Sequence, residues 1–166
     1  MSNRPLRKFT KRLIGIEDVT PTDSRLKVIG VFNPGVERLN DRVMMLVRVA
    51  ETLPAGEEGK FASPRVIPGT FPVQYAIDEL TIAPEDDGDH RKPIVVGGHR
   101  RLAFVSHLEL VILDRSGREV LEVRQLPDLF CANEYEIYGV EDPRITRIGD
   151  TFYITYVGVS EAMGVA

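Results

Sequence analysis

Residues 101–124 read RLAFVSHLELVILDRSGREVLEVR. An apolar-rich run over 101–113 meets Asp114-Arg115-Ser116-Gly117, four residues that favour a turn, and a second run over 118–124 returns. That is the pattern of a β-hairpin. Working outward, residues 43–50 read VMMLVRVA. A nearly continuous apolar run rich in β-branched residues predicts a strand buried on both faces. Residues 26–32 predict a short strand ending at the turn signal Asn33-Pro34-Gly35. Weaker strands are predicted over 65–67 and 71–82. A last hairpin is predicted over 144–148 and 151–157, around Gly149-Asp150. No stretch of ten residues carries a helical period. Short strands punctuated by turns predict an all-β chain: a sandwich, a barrel or propeller blades. No close internal repeat is visible.

Bulk composition narrows the function classes. The chain has 166 residues, enough for one domain with a real core. Its net charge of −4 argues against a nucleic-acid binder, which needs a basic face for phosphates. The basic start (Arg4, Arg7, Lys8, Lys11, Arg12) reads as a solvated arm rather than a binding tail. One cysteine, Cys131, excludes an intramolecular disulfide and reads as structural. No window approaches a membrane span and no secretory leader is evident, so a cytoplasmic protein without membrane or nucleic-acid partners is expected. His90, His99 and His107 lack zinc spacing, and the acidic loop 84–93 lacks a calcium-loop pattern, so neither a metal nor a cofactor is expected.

The densest chemistry lies in Glu141-Asp142-Pro143-Arg144. Pro143 biases Asp142 toward extended backbone. In extended chain Glu141 and Asp142 point to opposite faces, so only one of them would reach a cleft. Asp142 is the candidate acid; the alternative is a turn cap, with Arg144 in a surface ion pair. Asn33 stands at a strand end beside Pro34-Gly35. Arg48 interrupts an apolar strand, where a charge needs a carboxylate partner or a water-filled channel. His107, mid-strand beside Ser106, is a candidate ligand contact or a satisfied core residue.

Taken together in order, Val31-Phe32-Asn33-Pro34-Gly35-Val36, Met45-Leu46-Val47-Arg48-Val49-Ala50-Glu51, Ser106-His107-Leu108, Glu134-Tyr135-Glu136, Gly139-Val140-Glu141-Asp142-Pro143-Arg144-Ile145-Thr146, Tyr153-Ile154-Thr155-Tyr156 and Gly164-Val165-Ala166 resemble glycoside hydrolase family 130, the β-mannoside phosphorylases and related enzymes. The resemblance runs from about residue 17 to the last residue, and Gly-Val-Glu-Asp-Pro-Arg is its most specific element. It implies a five-bladed β-propeller with a central site. It implies inverting phosphorolysis of a β-mannoside to α-mannose 1-phosphate, with hydrolysis in some members. Asp142 would be the general acid; Asn33 and Arg48 would contact the sugar, and His107 and Arg144 are carried as further substrate contacts. Inorganic phosphate would be the co-substrate.

Blades of four strands take roughly 40–45 residues each. The chain is therefore expected to cover an N-terminal arm (about 1–24) and two to three blades. The family's phosphate-binding basic residues are expected beyond residue 166, so the isolated chain is expected to turn over slowly or not at all. Its open face would pair with a second copy or with the remaining blades. A hydrolase of the same family and a non-catalytic carbohydrate-binding module are the rival readings.

Overall fold

The computed structural model describes residues 10–54, 59–81, 93–126 and 133–161. The acidic loop 84–93, apart from Pro93, lies outside them, as do Cys131 and His90. Within the described residues the secondary structure is ten β-strands and two single turns of 3-10 helix, with no α-helix.

The organising element is one antiparallel sheet ordered β1-β2-β7-β8, from Lys27–Leu39 (β1), Arg42–Thr52 (β2), Phe104–Leu113 (β7) and Val120–Gln125 (β8). The chain does not pass directly from β2 to β7. Two hairpins intervene: Lys60–Val66 (β3) with Tyr75–Thr81 (β4), and Ile94–Val96 (β5) with His99–Arg101 (β6). A final hairpin pairs Val140–Ile148 (β9) with Thr151–Gly158 (β10).

The β7–β8 hairpin stands where residues 101–124 place it, with one correction: the strand is broken. Arg101 ends β6 and pairs with Ile94, and β7 begins only at Phe104. The Gly97-Gly98 turn closes β5 onto β6, since both glycines have positive φ. Asp114 anchors the β7–β8 turn, its carboxylate accepting bonds from Ser116, Arg118 and Glu119.

The β2–β7 pair forms the middle of the sheet and is buried on both faces, as the apolar run predicts. On one face Val43, Met45, Val47, Val49, Val111 and Leu113 close a core with Val19, joined by Leu13 and Ile14 from the lead segment. Val49 and Val111 are fully buried, each worth about 1.5–3 kcal/mol of transfer free energy. A second core gathers Leu26, Val66, Tyr75, Leu102, Val105, Tyr138 and Val159.

Residues 137–139 are the junction between units. Val66 N–H donates to the Ile137 carbonyl (2.8 Å), Ser106 N–H to the Tyr138 carbonyl (3.0 Å), and Tyr138 N–H to the Val159 carbonyl (2.9 Å). Gly139 is required here. Its φ is +88°, and a Cβ would lie 1.7 Å from the Ser106 carbonyl oxygen. This close approach delivers β9 against β1, β2 and β7.

Candidate active site

Two β-bulges build the site. The first is in β1. Residues Asn33-Pro34-Gly35 do not end the strand, as their turn signal predicts; β1 continues to Leu39, with a register shift between Phe32 and Gly35. Asn33 takes φ +50°, a left-handed conformation that asparagine tolerates better than most residues. The second bulge is in β9, opposite the register shift between Thr155 and Val157. Here Asp142 takes φ +49°. The preference for extended backbone before Pro143 is overridden, and with it the strict alternation of side chains. Both Glu141 and Asp142 therefore reach the same arginine, where extended chain allows only one.

The bulges fit together backbone to backbone. A Cβ on Gly35 would lie 2.8 Å from the Pro143 carbonyl oxygen, so only glycine allows this approach without displacement. Across the contact, Asn33 Nδ2 donates to Asp142 Oδ1 at 2.9 Å.

Arg48 is the hub. It lies on β2 opposite Leu108 and points to the face away from the Val47–Val49 core. Its Nη2 meets Glu141 Oε1 at 2.5 Å, its Nη1 meets Asp142 Oδ1 at 3.4 Å, and its Nε donates to Ser106 Oγ at 3.2 Å. Ser106 Oγ in turn donates to Glu141 Oε1 at 3.0 Å, closing a three-membered ring of contacts. The guanidinium carbon sits 4.7 Å from the Phe32 ring centroid and 5.9 Å from that of Phe104. Of the two alternatives for a charged residue in an apolar strand, the carboxylate partner is the one seen: Arg48, its side chain 12% exposed, pairs with Glu141 and Asp142.

Exposure separates the two acids. The Glu141 side chain is 12% exposed and that of Asp142 38%. Burial pushes the Glu141 carboxyl above its ordinary value, against the opposing pull of Arg48 and the Ser106 hydroxyl. Asp142 Oδ1 takes both N–H donors, whereas Oδ2 meets no donor among the described residues. Arg144 is exposed, and its Nη1 donates to the Pro143 carbonyl (2.9 Å) and the Asp142 carbonyl (3.4 Å). It braces the bulge from outside.

His107 does not join the cluster. Its partner across the ladder is Val49, so it shares the core face of β2–β7, where it is 1% exposed between Glu51 and Glu109. Its neighbour Ser106, of opposite parity, is the one that bonds Arg48 and Glu141. Sequence reasoning placed Glu141 on the face away from Asp142, and it gave no role to Phe32. The signal for Ser106 and Phe32 is their parity with Arg48, which depends on strand register.

Glycoside hydrolase family 130, described as beta-1,4-mannooligosaccharide phosphorylase, matches residues 113–164. The beta-1,2-mannobiose phosphorylase of Listeria innocua serovar 6a is 33% identical over 155 residues, which are 90% of this chain and 42% of that protein. A solved structure of beta-1,2-mannobiose phosphorylase from Listeria innocua in complex with beta-1,2-mannobiose superposes with a TM-score of 0.75 at 28% identity, over 90% of this chain and 43% of that one. The chain therefore spans about two-fifths of the length of the relatives it matches. Its all-β architecture is of that β-propeller type. In its ordered motifs, its sequence and its fold, the chain belongs to glycoside hydrolase family 130.

Proposed function

We propose that this chain supplies the acid and part of the sugar-binding wall of an inverting β-mannoside phosphorylase. The observation that carries the reading is the convergence of Asn33, Arg48 and Asp142 from three strands onto one carboxylate oxygen.

The chemistry asks for little more on this side of the substrate. Inverting hydrolysis uses a carboxylic acid and a carboxylate base flanking a water. In phosphorolysis phosphate is itself the nucleophile, so one carboxylic acid suffices, with cations to hold the phosphate. Asp142 is the one half-exposed carboxyl of the cluster. Two N–H groups hold its Oδ1, so the transferable proton belongs on Oδ2, which meets no donor among the described residues. Glu141 is buried and committed to Arg48, so it is poorly placed to activate a water. In this reading Asn33 and Arg48 orient the acid and meet sugar hydroxyls, and the Phe32 ring adds an apolar surface for a pyranose face. The chain forms part of a five-bladed propeller. Phosphate-binding residues are not assigned within it, since Arg48 is already paired and Arg144 braces its own strand.

The test is to incubate the protein with β-1,2- or β-1,4-mannobiose, with and without phosphate, and to assay mannose 1-phosphate and free mannose. Mannose 1-phosphate formed only with phosphate, and lost in Asp142→Asn, is the expected result, with slow turnover by the 166-residue chain alone. Free mannose formed without phosphate would move the reading to a hydrolase. Mannoside binding that survives Asp142→Asn with no product under either condition would make the chain a binding module.

A further inference from the structure

We infer that Glu141 is a positioning residue for Arg48, acting with the Ser106 hydroxyl to fix the guanidinium in the plane that serves Asp142 and the sugar. The inference deepens the phosphorylase reading and rests on it for the role of Arg48.

The geometry is a fork held at two of its three nitrogens. Glu141 Oε1 receives both Arg48 Nη2 and Ser106 Oγ, and Ser106 Oγ receives Arg48 Nε. One carboxylate oxygen and one hydroxyl thus fix the inner edge of the guanidinium. Only Nη1 is left to turn toward Asp142. The Phe32 ring covers one face, so rotation out of the plane would forfeit the cation–π contact as well.

The framework behind this fork is rigid. Ser106 is buried and tied by its backbone N–H to Tyr138, and Gly139 packs directly on its carbonyl. Glu141 follows two residues later on the same strand entry. The Gly-x-Glu spacing therefore has a physical reason: the glycine seats β9 on Ser106, and the glutamate then reaches across Ser106 to the arginine.

Arg48 Nη1 stands 3.4 Å from the Asp142 carboxylate, while Glu141 stands closer, at 2.5 Å, on the other side. The other groups facing Asp142 are the Asn33 amide, which is neutral, and Arg144, which is exposed and points at backbone carbonyls. Glu141 is thus the partner that holds Arg48 on the side away from Asp142, without itself being a catalytic residue.

The experiment follows the Arg48 side chain directly. The Nε–Hε resonance of Arg48 is monitored by NMR for solvent exchange in the intact chain, in Glu141→Gln and in Ser106→Ala, and β-1,2-mannobiose affinity is measured on the same samples. Wild type should show a slowly exchanging Hε. Glu141→Gln, which keeps the side-chain volume, should speed exchange and weaken binding about tenfold or more, as expected for loss of a charge-assisted bond. Ser106→Ala should do the same to a smaller degree, and it keeps the test alive if Glu141→Gln does not fold. Arg48→Ala should then cost less affinity in the Glu141→Gln background than in wild type. An Arg48 Hε signal that exchanges equally fast in all three proteins, or fully additive losses, would overturn the inference. If no preparation binds mannoside, the functional reading fails, while the exchange measurement still decides whether Glu141 holds Arg48.

Discussion

The two faces of the β2–β7 pair carry the same kinds of residues to opposite ends. On one face Arg48 and Ser106 meet Glu141 and Asp142. On the other, His107 sits between Glu51 and Glu109, all three nearly inaccessible to solvent. Glu51 also accepts from the Thr22 backbone N–H at 2.8 Å and from the Thr22 hydroxyl, which ties the lead segment to the sheet. Both faces bury charge next to partners, as they must. Only one leaves a carboxylate oxygen in the open, and that difference separates a candidate active site from a structural clamp. Burial of an ionisable residue in a strand therefore says little about function until the strand's register tells which face it takes.

The sharpest way to break the comparison is on the open face. Asp142→Asn should lower mannose 1-phosphate formation by about 10²–10⁴-fold, the usual contribution of a general acid, with little effect on unfolding by urea. On the closed face the signs reverse. Glu51→Ala should cost about 3–5 kcal/mol of stability by denaturant titration, since it strands buried donors and a histidine. Its effect on mannoside affinity, in protein that remains folded, should be small.

Gly139→Ala tests the seam that joins the two faces. A methyl group placed 1.7 Å from the Ser106 carbonyl oxygen forces β9 away from β7, and a loss of about 2–4 kcal/mol together with loss of mannoside binding is expected. His107→Gln sharpens the contrast further. It should destabilise by about 1–3 kcal/mol through altered buried hydrogen bonding, yet leave mannoside affinity within about twofold.

The smallest effect concerns pH and lies away from both faces. The two hydrogen bonds from Arg65 hold the Asp78 carboxyl below its ordinary value, at distances of 2.6 and 3.0 Å. A carboxyl whose value is depressed in the folded state contributes stability above its unfolded value of 3.8, and that contribution is lost as pH falls through the lower folded value. Asp78→Asn should therefore cost about 1 kcal/mol or less at neutral pH. The deficit should begin to shrink as pH falls below 3.8, read from urea midpoints at neutral pH and at successive pH values down through that range.

Much of the sheet was legible because its signals are local. The apolar run over 43–50 and the Asp114 to Gly117 turn each carry their own periodicity or turn chemistry. The site was legible in its residue types, with Asn33, Arg48 and Asp142 all drawn together, but not in its geometry. Extended chain is the natural reading of a residue before proline, and it assigns Glu141 and Asp142 to opposite faces. The left-handed backbone at Asn33 and Asp142 accompanies the docking of the two bulges, Gly35 against Pro143, a contact between residues far apart in sequence. The two readings of His107 stay open for a related reason: choosing between it and Ser106 requires the pairing of β7 with β2, a long-range fact. The β5–β6 hairpin was missed because three-residue strands carry too little pattern to stand out.

The most direct test is an NMR titration of the chain with β-1,2- and β-1,4-mannobiose, following the side-chain signals of Asn33, Arg48 and His107 and the backbone signal of Asp142. Saturable shifts at Asn33, Arg48 and Asp142, with His107 unmoved, are expected if the paired bulges form the sugar-binding wall. Shifts centred on His107, or none at the bulges at saturating sugar, would contradict it.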